Sequence, residues 1–454
     1  MLRNTPILRG PLAAGAAAFL LACSSVTDTL LEAEDPDIIQ PSTVSTPEAA
    51  NATRLGALGR FRNITAGGEG AWMLGGLLAD EWKSGDTFLQ RNETDQRLVQ
   101  ENNGNVQGML REIYRARTNA RESISFLEKL KPNPAADRGE LWFVIGMAEM
   151  MLAENFCNGT PLSDASTGEI VYGGPKSNQE VFTLALAHYD TAITLASGSD
   201  AASVAVRTAA TIARARTQVH LGQFAAAASA VASVPTSYRY NNTFALTSGD
   251  NQIWSLNFSA RRWVVGDSFD VGGIIQNAIP FASAGDPRIP VTGASNSTAA
   301  KSFDGSTNFV YQRLYDRSTP ATVLSGIDAR LIEAEARLQA NDFAGMMTIL
   351  NALRATPQSL GAITSPAMAA LPTPTTRDAA INLFFREKAF WQFSRGYRLG
   401  DLRRLVRQYT RPQTQVFPSG QFFKAGTYGD NVNFPVTVDE QNNQLAAGCT
   451  NRNA

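Results

Sequence analysis

Between residues 69 and 97 the sequence sets aromatic rings among side chains that donate and accept hydrogen bonds. Trp72, Trp82 and Phe88 stand with Asp80, Asp86, Arg91, Asn92 and Asp95 around a break at Lys83-Ser84-Gly85. Flat apolar rings beside carboxylates, amides and guanidiniums suit a sugar, whose C–H faces lie against aromatic rings while its hydroxyls need donors and acceptors. A second grouping of this kind is Trp254 with Arg261, Arg262 and Trp263. The candidate ligand-binding residues are therefore Trp72, Trp82, Asp86, Phe88, Arg91, Asn92, Trp254 and Trp263. A competing reading places Trp72 in the core, because Met73 and Leu74 follow it.

Residue supply restricts the catalytic alternatives. The chain has two histidines, His188 and His220, so a three-histidine zinc site cannot be assembled, and no His-Glu-x-x-His pattern occurs. Both lie in amphipathic stretches, where a packing or surface role is expected. A phosphate-binding loop ending in Gly-Lys-Ser/Thr is missing, as is a Gly-x-Ser-x-Gly elbow. Two carboxylates suffice for a glycosidase, and 41 acidic residues leave that alternative open on supply alone. The expectation is a binding protein rather than an enzyme, with no cofactor and no metal centre; a bound calcium ion is left open.

Formal charge is −1, from 40 basic and 41 acidic side chains, so no basic field attracts nucleic acid. With 44% hydrophobic and 18% charged residues the chain can bury a large core. The first 22 residues differ from the rest. Arg3 and Arg9 precede an apolar run from Leu12 to Ala22, too short to span a bilayer, which needs roughly 20 apolar residues. The run ends in Leu20-Leu21-Ala22-Cys23, which resembles a bacterial lipobox. Residues 1–22 are thus expected to be a lipoprotein signal peptide and Cys23 the acylated residue. Several acyl chains, palmitate among them, anchor a protein more firmly than one. Cleavage leaves 38 basic against 41 acidic side chains and two further cysteines, Cys157 and Cys449. In an oxidising compartment these pair, or else remain two buried thiols.

Residues 23–48 are polar, acidic and proline-containing, and read as a lipidated flexible tether. Thr46-Pro47-Glu48 is a helix-start signal. Helical periodicity follows over 105–130, stopped by Lys131-Pro132, and over 138–156 and 178–197. Residues 207–234 read as a helix rich in small side chains, a turn at Leu221-Gly222-Gln223, and a second helix from Phe224. A related unit begins at 326. At an offset of 119, Ala215 aligns with Ala334, Val219 with Leu338, Phe224 with Phe343, Val231 with Leu350 and Val234 with Leu353. This is the layout of tetratricopeptide-like helix pairs, which stack because neither can bury its apolar face alone. Residues 240–325, rich in Gly, Asn, Ser and Asp, are predicted to be an ordered ligand-binding insertion of long loops and a few short strands, including pieces at Ile253-Trp254-Ser255-Leu256 and Phe309-Val310-Tyr311.

The final third carries a resemblance. REKAFWQFSRGYRLGDLRR at 386–404, VFPSG at 416–420 and YGDNVNFPV at 428–436 follow DPRIPV at 286–291 and the GIDARLIEAEA unit. In this order, behind a lipobox, they resemble the SusD/RagB family of outer-membrane nutrient-uptake lipoproteins, from about residue 45 onward. Glu387, Gly396, Arg398, Asp401, Leu402 and Arg404 match that pattern. Glu387-Lys388, Trp391 and Ser394-Arg395-Gly396 depart from the commoner Glu-Arg-x-x-Glu-Leu and Phe-Glu-Gly. We read the charged members as a structural ion-pair network between helix and tail.

The resemblance implies an all-α body over 49–454 with four tetratricopeptide-like pairs and irregular loops that carry the ligand. It implies a lipid-anchored, surface-exposed outer-membrane protein that passes oligomeric nutrients, glycans above all, to a SusC-like TonB-dependent barrel. Two alternatives stay beside it: a helical-repeat scaffold that binds only protein partners, and a lipid-anchored polysaccharide-cleaving enzyme.

Overall fold

The computed structural model describes residues 44–270, 272–296 and 300–454. The expected signal peptide, Cys23 and most of the expected tether lie outside the described residues. Thr46 is extended and its hydroxyl accepts the Ala49 amide at 3.2 Å, while Pro47 occupies the first turn, where a missing N–H leaves nothing unpaired. From that start α1 runs Pro47–Ala66, followed by α2 (Ala71–Leu78), β1 (Trp82–Ser84) and α3 (Leu89–Asp95). Asn103 caps α4 (Gly104–Leu130) through the Asn105 and Val106 amides. Then come α5 (Ala135–Asn155) and α6 (Asn178–Leu195), whose start is a reciprocal Ser177–Glu180 box.

Two helix pairs follow at the predicted offset: α7 (Ala201–His220) with α8 (Phe224–Val231), and α9 (Gly326–Gln339) with α10 (Phe343–Ala355). Gly222 turns the first pair at φ +76°, and Asn341, at the same offset, turns the second at φ +58°. Glycine and asparagine tolerate this left-handed conformation best. Ala215 and Ala334 are both buried, as are Val219 with Leu338 and Val231 with Leu350. Helix packing runs in one succession from α1 to α4, α5, α6, α7, α8, α9 and α10. Residues 232–325 separate α8 from α9, yet the two helices pack directly on one another.

Most of that separation is an insertion, closed at its base by an antiparallel clasp of β2 (Arg239–Asn242) and the strand Ala321–Ser325. Inside it, a helical turn at Gln252–Trp254 runs into a π turn at Ser255–Ser259. Strand β3 (Trp263–Val265) pairs with β1, Trp82 opposite Val265 and Ser84 opposite Trp263. Then β4 (Val291–Thr292) pairs with β5 (Tyr311–Gln312), and β6 is the clasp strand Ala321–Ser325. After α10 a hairpin of β7 (Gln358–Leu360) and β8 (Ile363–Ser365) precedes α11 (Arg377–Trp391) and α12 (Arg398–Arg407). Each sheet among the described residues has two strands. The architecture is all-α, with twelve helices of seven residues or more among the described residues and short peripheral ladders.

The charged motif at 386–404 folds inward. Glu387 pairs with Arg288 and Arg354, Lys388 with Asp401, Arg395 with Asp328, Arg398 with Asp80, and Arg404 with Glu335 and Asp401. The sequence reading placed this network between helix and tail. Apart from Asp401, which joins α12 to α11 through Lys388, its partners come from the α2–β1 connection, the insertion, α9 and α10, because α11 and α12 pack into the middle of the body. Arg403 donates Nη1 to the Ala153, Glu154 and Phe156 carbonyls, and so satisfies the end of α5. A disulfide joins Cys157 to Cys449, 292 positions apart in sequence.

Candidate ligand-binding groove

An open, aromatic-lined cavity of about 700 Å³ is built where the π turn, the β4–β5 ladder and the β7–β8 hairpin meet. Asn251 starts the turn: its Oδ1 accepts the Ile253 and Trp254 amides, and its Nδ2 donates to the Thr319 carbonyl at 2.8 Å. One turn later the same face carries Phe258, at the i+4 spacing that aligns side chains along a helix. The Trp254 and Phe258 rings stack at 5.9 Å, and Tyr311 of β5 meets Phe258 edge-on at 4.9 Å. Phe309 stacks on Tyr311 at 5.4 Å, with the Arg261 guanidinium 5.1 Å above Phe309. Strand alternation explains the pattern: Phe309 and Tyr311 share one face, while Val310 between them is fully buried.

Polar groups frame these rings. The exposed Arg313 donates to Thr292 Oγ1 at 3.3 Å. Asp316 accepts the Thr319 hydroxyl at 2.7 Å and the Ser318 and Thr319 amides. The Thr319 hydroxyl, then these amides, hold its carboxyl below the ordinary value despite an opposing contribution from burial, so it is a charged acceptor at neutral pH. Gln312 brackets Tyr315 through both its amide and its carbonyl. Asn257, buried beneath the turn, donates to the Trp263 and Val310 carbonyls and accepts the Gln312 amide. One side chain thus fixes the turn, β3 and β5 relative to each other.

A second exposed aromatic group lies at the other end of the β1–β3 ladder. Arg262 sits between Phe88 and Phe303, 4.8 and 3.7 Å from the two ring centroids, and those rings are 52% and 49% exposed. Beneath them Asp86 accepts from Arg262 at 2.7 Å and from Arg91. Burial works to raise the Asp86 carboxyl, but the two guanidiniums outweigh it and hold it below the ordinary value. Lys424 ties this region together, donating to the Asp86 carbonyl and Asn92 Oδ1 and pairing with Asp304 at 2.9 Å. Nearby, burial pushes Asp95 up to about 7, partly offset by the Ser84 amide that it accepts. Among the described residues no three His, Cys, Asp or Glu side chains are grouped to hold a metal ion.

No family model matches this chain, and no curated protein does either. Solved structures do. A surface glycan-binding protein A from Bacteroides uniformis aligns with a TM-score of 0.64 at 13% identity, over 89% of this chain and 99% of that one. A SusD-like protein from Bacteroides fragilis aligns at 0.63 and 13%, over 91% and 98%. A SusD-like carbohydrate binding protein from Bacteroides vulgatus aligns at 0.60 and 11%, over 89% and 98%. The fold is SusD-like.

Within this SusD-like fold the predicted binding residues separate into two groups. Trp72, Trp82 and Trp263 are buried in the main core, so none of the three rings offers a face to a ligand. Trp82 packs on Phe393, and Gly396 presses against Trp72 so closely that a Cβ there would lie 2.1 Å from the indole. Asp86 and Arg91 are buried as well, occupied by ion pairs with Arg262 and Glu69. Asn92 is partly exposed, and Lys424 holds it. Phe88 and Trp254 remain accessible. Sequence reading missed Phe258, Tyr311, Arg313 and Phe303. The i+4 spacing of Phe258 from Trp254 and the alternation in Phe309-Val310-Tyr311 were the signals that could have found the first two.

The two histidines are packing residues. His188 stacks on Trp142 and its Nδ1 meets Glu149 at 2.6 Å; His220 stacks on Phe182 and its Nε2 meets Glu154 at 2.7 Å. Among the described residues no helix is long and apolar enough to cross a membrane.

Proposed function

We propose that this chain binds an oligosaccharide in the groove of Trp254, Phe258 and Tyr311, without chemistry, and passes it to a SusC-like TonB-dependent outer-membrane barrel. The observation that carries the reading is the aromatic step itself. Three rings at 4.9 to 5.9 Å, open on one side and framed by Arg313, Thr292 and Asp316, offer sugar faces a surface and sugar hydroxyls their partners. Two structural neighbours bear names that state carbohydrate or glycan binding, which supports the same ligand class. In this reading residues 1–22 are cleaved, Cys23 is acylated, residues 23–48 are the tether, and 49–454 form the surface-exposed body with its ligand-binding insertion at 240–325.

Calorimetric titration of the full chain with a panel of neutral oligosaccharides and peptides tests the ligand class. At least one oligosaccharide is expected to bind, and Phe258→Ala, at a ring 42% exposed, to weaken it while the fold persists. Binding of peptides alone, or co-purification of a barrel with no small ligand bound by either, would replace this reading with a protein-only scaffold. Release of reducing ends from a bound glycan would make the chain an enzyme. Cys23→Ser is expected to move the protein out of the membrane fraction.

A further inference from the structure

A separate cavity of about 270 Å³ opens between α11, α12, the loop around Asn277 and the stretch 411–416. Ile381, Phe385 and Leu402 give it an apolar floor. Three guanidiniums line it, and only two carboxylates answer them. Arg398 uses Nε and Nη2 on Asp80, at 2.6 and 2.8 Å, and Arg411 pairs with the exposed Asp378 at 3.2 Å. Arg386 is exposed, lies 5.1 Å from the Phe390 centroid, and makes no ion pair among the described residues. Its position is unusual within its own motif. From 386 to 404, Arg395, Arg398 and Arg404 each have a buried acid, and Arg403 has three carbonyls.

An arginine fork matches a carboxylate through two parallel hydrogen bonds, and an apolar floor strengthens them by excluding water. Asn382 and Gln415 add amides that both donate and accept, the equipment for hydroxyl groups. The volume lies near the small end of ligand cavities, which run from about 300 to 1,000 Å³. It suits one small molecule and not a chain of sugars. We propose that this cavity is a second binding site, for a small hydroxylated carboxylate such as a free sugar acid, with Arg386 as the charge that recognises it and Arg411 beside it. The site is independent of whatever the aromatic groove holds.

The test is titration of the full chain with sodium glucuronate, glucose and inorganic phosphate, followed by ligand-observed NMR and calorimetry. Glucuronate is expected to bind more tightly than either glucose or phosphate, and less tightly as salt rises. Arg386→Gln, an exposed change that leaves the core untouched, is expected to weaken glucuronate about tenfold. Trp254→Ala is expected to leave glucuronate binding unchanged. No glucuronate binding, equal binding of glucose, phosphate binding as tight as glucuronate, or indifference to Arg386→Gln would each overturn the proposal. Loss of glucuronate binding in Trp254→Ala would place the acid in the aromatic groove instead and overturn it too.

Discussion

The Asn257 side-chain amide donates to the Trp263 backbone carbonyl at 2.7 Å, from beneath a turn whose outer face carries Trp254 and Phe258. The same amide reaches Val310, and its oxygen takes the Gln312 N–H. All three bonds are buried, so removing the side chain strands the Gln312 N–H and the Trp263 carbonyl away from water, while the Val310 carbonyl keeps the Val265 amide at 3.2 Å. Asn257→Ala is expected to cost about 1–3 kcal/mol of stability and also to weaken the oligosaccharide, because the turn and β5 lose their common anchor. Thermal melts and titrations on one preparation check both effects. Unchanged affinity in a destabilised protein would show that the groove holds its shape without this residue.

Trp254 and Trp82 should respond differently to the same truncation. Trp82 is 1% exposed and packs on Phe393, so Trp82→Ala leaves a core cavity and is expected to cost about 3–5 kcal/mol. Trp254→Ala is expected to lower affinity roughly tenfold with a smaller loss of stability. Ligand titration and denaturant melts of both variants decide it. A well-folded Trp82→Ala protein that had lost its ligand would reverse our assignment of the rings.

Glu81 supplies a pH dependence. Its side chain is buried, accepts the Ser394 amide at 2.8 Å, and has one oxygen without a partner among the described residues. Burial, only partly opposed by that amide, pushes its carboxyl up to about 8. The folded chain then keeps a proton that the unfolded chain releases near 4.5. Its contribution is complete below about 4.5 and is lost as pH rises through about 8, by roughly 1 kcal/mol per pH unit in between. Asp95, raised to about 7, adds the same sign. Calorimetric melts of Glu81→Gln are expected to show a flatter fall from pH 5 to pH 8 and a higher midpoint at pH 8. A slope equal to the parent's would remove Glu81 as its source.

The Cys157–Cys449 bridge closes a long loop, and reduction or Cys449→Ser is expected to lower stability by roughly 2–5 kcal/mol. Asn158 and Thr450 are hydrogen-bonded beside it, so the segment around 449–451 should become the first site of proteolysis in the reduced protein. Limited digestion with and without reductant reads this directly. Identical cleavage patterns would mean that packing alone holds the segment.

Local signals in the sequence were read correctly where chemistry and geometry are adjacent. Thr46-Pro47 starts a helix, and the offset of 119 carries even the left-handed turn residue, Gly222 in one pair and Asn341 in the other. The site was harder because polarity was taken for exposure. Asp80, Lys83, Asp86, Arg91 and Asp95 surround Trp82 in sequence, yet each is buried and hydrogen-bonded, so the tryptophan they flank is core. Their partners Arg398, Asp270 and Arg262 lie 176 to 318 positions away, and nothing local announces them. Gly396 matches the SusD/RagB pattern, but nothing local in the sequence explains why a glycine stands there. The structure supplies the reason, a φ of +73° hard against the Trp72 ring.

The clasp of Arg239–Asn242 with Ala321–Ser325 brings the two ends of the insertion to adjacent strands just where α8 meets α9. The exposed loops between those strands can lengthen, shorten or change their rings without prising the helix pairs apart, provided that β3 keeps its ladder with β1, Arg288 its pair with Glu387 and Phe281 its packing on Phe390. Recognition can then diverge as a cassette while the solenoid beneath it stays the same, so transplanting 243–320 between relatives of this fold is a practical route to exchanging what they hold.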